Sequence, residues 1–374
     1  MISVWEKETF YAPQDIVIAG SGFVGLWSAF YLKKRDPKLK ITIVDKGIIP
    51  TGASTRNAGF ACFGSLTELL ADEQRMGTDE MLRLVEMRYK GLEKIRATFH
   101  KKDIDMDMCG GYELFTKDED YLTGDLEEQV EYLNDLLKKI VHKKPYRLAD
   151  QKVNPFGFAG VNHIIRNNLE GYLHSGKLLT ALLHHVQLQG VQVLNNIEIK
   201  KFEKVNGRIN IETNVTDFSA KQLLICVNGF AKQILPDLDV EPARGQVLVT
   251  SPIENLPWKG TFHHKQGFYY FRNLGKKVLL GGARNLALEE EKTFSPDTTD
   301  TIQNELERFL KEVILPGKKY SIEYRWGGTM GIGSEKMPIH KEISPGVFCC
   351  VRMSGMGVAL APLLGEKTAG MMRG

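Results

Sequence analysis

Asp15-Ile-Val-Ile-Ala-Gly20-Ser-Gly22-Phe-Val-Gly25 and, after a short helical stretch, Ile41-Thr-Ile-Val-Asp45 decide the fold. Ile16 to Ala19 is an unbroken apolar run suited to a buried strand. Leu26 to Lys34 has helical spacing, and Ile41 to Asp45 repeats the first strand. Strand, helix and strand in that order make a βαβ unit, hence a parallel sheet. Gly20 permits the tight turn, Gly22 lets the backbone approach a diphosphate, and Gly25 lets the helix pack closely on the strand. Ser21, Phe23 and Val24 fill the turn, and the positive end of the helix faces the phosphates. Asp45 stands 20 residues beyond Gly25, where an acid bonds a ribose 2′-hydroxyl and repels a 2′-phosphate. The pattern predicts an adenine dinucleotide other than NADP.

Two further stretches bear on which dinucleotide. Thr51-Gly-Ala-Ser-Thr-Arg-Asn-Ala-Gly59 is rich in glycine and hydroxyls and is able to wrap the rest of a long cofactor. Met353-Ser-Gly-Met-Gly357 leads into Val358-Ala-Leu-Ala-Pro362, a second glycine-rich helix start. A helix N-terminus there would favour negative charge developing on a flavin ring. Together they favour FAD, with an NAD-dependent dehydrogenase on the same βαβ unit as the alternative.

Outward from this unit, the 374 residues are enough for two domains. With 43% hydrophobic and 25% charged residues, the chain is an ordinary globular one. Its 49 basic and 46 acidic residues are too evenly balanced to argue for nucleic acid. Five scattered cysteines with no C-x-x-C pair predict neither disulfides nor zinc, and a reducing, cytoplasmic setting. The first apolar run begins only at Ile16, so no signal peptide is expected, and no stretch reads as a membrane span. His184-His185 and His263-His264 are adjacent pairs whose side chains diverge, so no metal is expected. No G-x-S-x-G elbow supports acyl transfer.

Helices are predicted over Asp79–Lys101, Asp125–His142, Gly176–Gln189 and Thr298–Glu312, and from Gly357 onward. Between Val191 and Tyr324 short alternating runs (Arg208–Thr213, Gln222–Val227, Gln246–Thr250, Gly267–Arg272, Lys277–Gly281) predict a mixed or antiparallel sheet. Val347–Val351 returns to the opening style. The expected fold class is α/β: a Rossmann-like cofactor domain with a parallel sheet, and a second, α+β substrate domain on a mixed or antiparallel sheet.

The sequence resembles the D-amino acid oxidase-like family of FAD-dependent oxidoreductases, which includes glycine oxidase, sarcosine oxidase and gamma-glutamylputrescine oxidase. The resemblance spans nearly the whole chain. It is carried by Gly20–Asp45, by Gly52-Ala-Ser-Thr-Arg-Asn-Ala-Gly59, by Pro242-Ala-Arg-Gly-Gln-Val247 and by Leu279-Leu-Gly-Gly282. Tyr324-Arg-Trp-Gly-Gly328 and Ser354-Gly-Met-Gly357 before Leu360-Ala-Pro362 complete it. It implies a discontinuous FAD domain over 1–85, 151–225 and 325–374, with a substrate domain over 86–150 and 226–324. Matching positions imply that Gly20 to Gly25 hold the diphosphate and that Asp45 and Lys46 hold the ribose. Ala53, Ser54, Thr55, Arg56, Asn57, Ala58, Gly59 and Phe60 would run along the cofactor, and Ile199 would meet the adenine. Met353, Ser354, Gly355, Met356, Gly357, Val358 and Ala359 would line the flavin ring. The implied reaction oxidises a carbon–nitrogen bond: hydride passes from the carbon beside an uncharged amine to flavin N5, and water hydrolyses the imine.

Departures from the family pattern narrow the substrate. Amino-acid-oxidising members carry an arginine after the W-x-G element that clamps a carboxylate, and here Met330 stands there. The oxygen-activating lysine of sarcosine oxidases falls near Leu279, and their flavin-bonding cysteine near Trp326 has no counterpart, so FAD is expected to be non-covalent. Ala359 stands where a carboxylate-clamping lysine would be. Tyr324 to Pro338 is more similar to gamma-glutamylputrescine oxidase. An amine without an α-carboxylate, or a modified amine, is therefore favoured over simple D-amino acids. Arg56, Arg272, Arg284 and Arg352 are candidates for an anion, Arg352 foremost. Tyr269 matches a substrate-contacting tyrosine, and reads equally as a strand aromatic. The electron acceptor is oxygen, a quinone or a carrier protein, with a dehydrogenase or a sluggish oxidase favoured. The rival to an autonomous enzyme is a flavin-bearing subunit that needs a partner chain, and either a monomer or an oligomer suits the sequence.

Overall fold

The computed structural model describes residues 1–117 and 125–372. Its first sheet is built around the opening βαβ unit. Val347–Val351, Phe218–Ile225, Gln14–Ala19, Ile41–Asp45 and Gln192–Asn195 lie side by side in that order, each parallel to its neighbours. These strands are apolar runs because most are covered on both faces. One face carries the helices Phe23–Arg35, Thr78–Thr98, Ser175–Leu188 and Gly357–Met371. The other face packs Val17, Val44 and Leu223 against the antiparallel pair Ile199–Val205 and Arg208–Thr213. Missing side chains let the helices approach closely. A Cβ on Gly91 would lie 1.7 Å from the Ala359 carbonyl, and one on Gly365 would lie 2.7 Å from Trp27.

The second sheet has eight strands, in the order Ile322–Ile332, Glu241–Thr250, Lys277–Gly282, Tyr269–Leu274, Thr261–His264, Gly111–Thr116, Val161–Asn167 and Tyr146–Leu148. All its pairs are antiparallel except Thr261–His264 with Gly111–Thr116. Period-two alternation gives it two unlike faces. Tyr112, Phe262, Phe271, Leu280 and Leu248 stand in one cross-strand row and bury themselves against Phe309 and Trp258. Phe262 and Phe271 stack at 4.6 Å. The opposite row is Glu113, His263, Tyr270, Gly281, Val247 and Trp326, and this face looks toward the first sheet.

The predicted elements mostly keep their places, with three differences. The helix expected to run to Glu312 is regular only over Asp300–Phe309 and ends in a wider turn over Leu310–Ile314. Strands Gly111–Thr116 and Val161–Asn167 extend the second sheet ahead of the region where strands were expected. Sheet membership also crosses the implied domain boundaries. Val161–Asn167 and the whole of Ile322–Ile332 pair within the second sheet, and helix Thr78–Thr98 runs unbroken through residue 85. Residues 118–124 lie outside the described part. No helix is long and apolar enough to cross a membrane, and no cluster of metal-ligating side chains occurs, among the described residues. All five cysteines are free.

Candidate cofactor and substrate site

A cavity of about 910 Å³ runs between the two sheets. At one end it passes the turn after the first strand, where glycine is required by space. Gly20 has φ +100°, and a Cβ there would sit 2.9 Å from the Cys226 carbonyl oxygen. A Cβ on Gly25 would come within 2.0 Å of the Gly20 oxygen. Gly22 is the N-cap of Phe23–Arg35, and its backbone faces Ser54, whose Oγ accepts from Phe23 N at 2.9 Å. Asp45 accepts from Ser21 N and Oγ through Oδ2, at 2.9 and 2.7 Å, and from Gly47 N through Oδ1. It therefore holds the turn in shape and keeps lone pairs for a ribose hydroxyl. Lys46 lies 4.0 Å over the Phe230 ring, and Ile199 lines the same end.

The middle of the cavity is walled by 53–60 and 353–359. Asn57 organises the first wall: its Nδ2 donates to the Ala53 and Ser54 carbonyls, and its Oδ1 accepts from Gly59 N and Ser175 Oγ. Arg56 donates to the Gly327 carbonyl, and Trp326 Nε1 donates to the Arg56 carbonyl, which pins this wall to the second sheet. Asn228 organises the second wall, accepting from both Arg352 N and Met353 N through Oδ1. That bond steadies a turn in which Arg352, Ser354 and Gly355 all have positive φ. Cys62 and Cys226 also line the cavity, and burial pushes both thiols well above their ordinary range, so neither offers a thiolate.

Of the residues predicted to meet the cofactor, Gly20, Gly22, Phe23, Val24, Asp45, Lys46, Ala53, Ser54, Arg56, Asn57, Ala58, Phe60, Ile199 and Met353 to Ala359 line the cavity. Ser21, Gly25, Thr55 and Gly59 stand behind its wall. The long shape, the glycine cradle at a helix start and the second helix start at Gly357 fit a dinucleotide carrying a second ring system.

The remaining wall of the cavity is the bare face of the second sheet. Gly245 and Gly281 leave a floor over which Tyr270 lies, its ring filling the place a Gly281 side chain would take, while Gly328 lets Arg56 pack against the same sheet. Burial pushes the Tyr270 phenol up to about 12, so it stays neutral. Met330 lines the cavity, with its sulfur and Cε near Gly355 and Gly245. Tyr269, one residue from Tyr270, points to the opposite face, packs on Phe309 and donates to Glu305 at 2.8 Å. Arg352 is also outside the cavity. It is buried, paired with Asp239 and Glu335, and donates to the Met337 carbonyl. Arg272 is likewise committed to the backbone at Ala58 and Leu173. Arg56 and Arg284 line the cavity, and burial lowers the Arg284 pKa.

Sequence reading missed Tyr270, Glu68, His263, Asn228 and Lys336. Tyr270 and His263 were accessible to it through strand alternation. Glu68 and Lys336 carry no local signal, since they meet only after folding. Burial favours a neutral Glu68, but Lys336, Arg88 and His263 outweigh it and bring the carboxyl down to about 2. Burial takes His263 down to about 4, against the pull of Glu68, so its imidazole is neutral.

A family model described as FAD dependent oxidoreductase (DAO) matches residues 15–371, and the chain belongs to this family of FAD-dependent oxidoreductases. FAD is its cofactor, which removes the NAD alternative. By sequence it is similar to the probable oxidoreductase OrdL of Rhizobium meliloti (strain 1021), 25% identical over 369 residues, covering 96% of this chain and 83% of that one. It is 22% identical over 371 residues to gamma-glutamylputrescine oxidoreductase of Escherichia coli (strain K12), covering 96% and 84%. Its fold is similar to that of L-proline dehydrogenase from P. horikoshii, with TM-score 0.77, 19% identity and coverage of 96% and 93%.

Proposed function

We propose that this protein oxidises the carbon–nitrogen bond of an amine that lacks an arginine-clamped α-carboxylate, using non-covalent FAD. The observation that carries the reading is Met330: an apolar side chain lines the cavity where amino-acid-oxidising relatives are expected to place their carboxylate clamp. Bound FAD supplies the hydride acceptor. The chain supplies position and exclusion of water. Gly245 and Gly281 let Met330 and Tyr270 lie close over the sheet, and with Phe60 these side chains give the substrate an apolar, largely uncharged surface. Such a surface favours a neutral amine, whose lone pair is free to assist loss of hydride from the adjacent carbon. The helix start at Gly357 favours negative charge on the cofactor.

Three finer readings go with this. The high thiol pKa values of Cys62 and Cys226 support non-covalent attachment. Leu279, buried where an oxygen-activating lysine would stand, supports a dehydrogenase that passes electrons to a quinone or carrier protein rather than rapidly to oxygen. Five free cysteines suit a cytoplasmic protein. Arg284 gives a second reading a specific footing: it lines the cavity and would meet a carboxylate if the substrate carried one. The test is anaerobic bleaching of the flavin by a panel of alkylamines, acylated diamines, glycine, sarcosine, proline and D-amino acids. Bleaching by carboxylate-free amines is expected. Bleaching by α-amino acids alone would move the assignment to Arg284, and bleaching by none would favour a subunit that needs its partner chain.

A further inference from the structure

One part of the cavity wall holds polar atoms that nothing in the protein satisfies. Glu68, from helix Leu66–Met76, shares Oε1 between Arg88 Nη1 at 3.3 Å and Lys336 Nζ at 3.4 Å, and its Oε2 takes no hydrogen bond. His263, on the floor of the second sheet, is only 6% exposed, and neither ring nitrogen has a partner. Asp72 pairs with Lys336 through Oδ1, while its buried Oδ2 is unpartnered.

These loose ends converge. The point that a Gly267 Cβ would occupy is 3.8 Å from Glu68 Oε2 and 3.8 Å from His263 Nδ1, with no other side chain or distant backbone within 4 Å. Gly267 has φ +81°, a conformation that favours glycine and keeps the gap open. A carboxylate oxygen only accepts, and a neutral imidazole offers one acceptor nitrogen. With His263 as the Nε2–H tautomer, which leaves Nδ1 to accept, two acceptors face the gap, and one donor placed there would serve both. His263 is buried and buried polar atoms are normally paired, while the free Glu68 oxygen can be paired only by a donor. The paired charges around the gap balance, Glu68 and Asp72 against Arg88 and Lys336. An uncharged amide N–H therefore fits as well as an ammonium, and a carboxylate would face the free oxygen of Glu68.

We propose that Glu68 Oε2 and His263 form a subsite for an N–H donor on the substrate, an amide or ammonium nitrogen distinct from the amine that is oxidised. The substrate is then a diamine or acylated diamine rather than a simple alkylamine. This rests on the amine-oxidising reading above and adds the second nitrogen to it.

The test measures binding to dithionite-reduced holoenzyme, which cannot turn over, through the shift in melting temperature. The probes are pentylamine, 4-methoxybutylamine, 1,4-diaminobutane, N-acetyl-1,4-diaminobutane and 5-aminopentanoate. At least one of the two ligands with a second N–H group should bind about tenfold or more tightly than pentylamine or the acceptor-only ether. Glu68→Gln turns the free acceptor into a donor, and His263→Phe removes the imidazole while keeping a ring beside Phe60. Each should bring that preference to within about threefold. Equal binding of all five probes by the wild type would overturn the proposal without any variant. So would a preference that survives both substitutions, or tightest binding of 5-aminopentanoate, which would assign the gap to Lys336 and an anion. Failure of the oxidation reading looks different: no amine bleaches the flavin, yet the N–H preference stays.

Discussion

The two ends of the cavity are built on different principles. The nucleotide end is made of backbone and missing side chains: Gly20, Gly22 and Gly25 in one turn, held by Asp45 from the next strand. The other end, proposed for the substrate, is made of side chains that meet from distant places: Glu68 on a helix, His263 and Tyr270 on neighbouring strands, and Met330 on the sheet edge. A cradle of backbone tolerates almost no added volume, whereas a floor of side chains can change its chemistry while the fold persists. The two ends should therefore fail differently.

The largest effect is expected at the cradle. Gly25→Val places atoms where even a Cβ would lie 2.0 Å from the Gly20 oxygen. The purified protein should lose its yellow colour, with FAD affinity down by about 100-fold or more, for a loss near 3 kcal/mol. Retained flavin absorbance in that variant would remove the contrast between the two ends. Next comes the support under the floor. Arg244 and Glu291 form a buried pair at 2.7 Å, with exposures of 5% and 1%. Glu291→Gln should lower stability by about 3–5 kcal/mol, as seen when one partner of a buried pair is removed. Denaturant melts would show this, and a change below about 1 kcal/mol would mean the pair is dispensable.

Adjacent tyrosines sharpen the comparison further. Tyr270→Phe should slow flavin reduction by up to about tenfold while leaving FAD in place, the effect of losing one ordinary hydrogen bond to the substrate. Tyr269→Phe should leave reduction unchanged and lose about 1 kcal/mol of stability with its bond to Glu305. The last contrast is a matter of pH. Burial, only partly offset by the amides of Phe63 and Gly64, raises Glu170 from 4.5 to about 8. Between those values the unfolded chain gives up this proton while the folded chain keeps it, so folding stability falls as pH rises. The slope from this one group is at most about 1.4 kcal/mol per pH unit. Glu170→Gln should flatten the dependence of melting temperature on pH between 4.5 and 8, and an unchanged profile would show that Glu170 does not titrate there.

Legibility followed the same division. The Gly20–Asp45 unit was readable because its parts are local and each glycine has a steric reason. Ala58 and Met353 to Ala359 were reachable through family resemblance, and they do line the cavity. Tyr269 shows where reading failed: adjacent strand residues face opposite ways, and a one-residue error of register selects the core instead of the cavity. Arg352 drew attention as a cation beside a glycine-rich turn. Its partners, Asp239 and Glu335, lie far enough away in sequence that only the fold reveals that its charge is already paired. His263 was set aside as half of a histidine pair. The alternation that separates it from His264 also aims it at the cavity.

The central claim, that an amine's carbon–nitrogen bond is what this flavin oxidises, is tested most directly in a single turnover. Oxidised holoenzyme would be mixed anaerobically with a diamine carrying either hydrogen or deuterium on the carbons beside nitrogen, and loss of the flavin's visible band followed in time. The account predicts full bleaching, slower by about threefold or more with deuterium, because that bond breaks as hydride leaves. Absence of bleaching across diamines and alkylamines, or equal rates for the two isotopes, would contradict it.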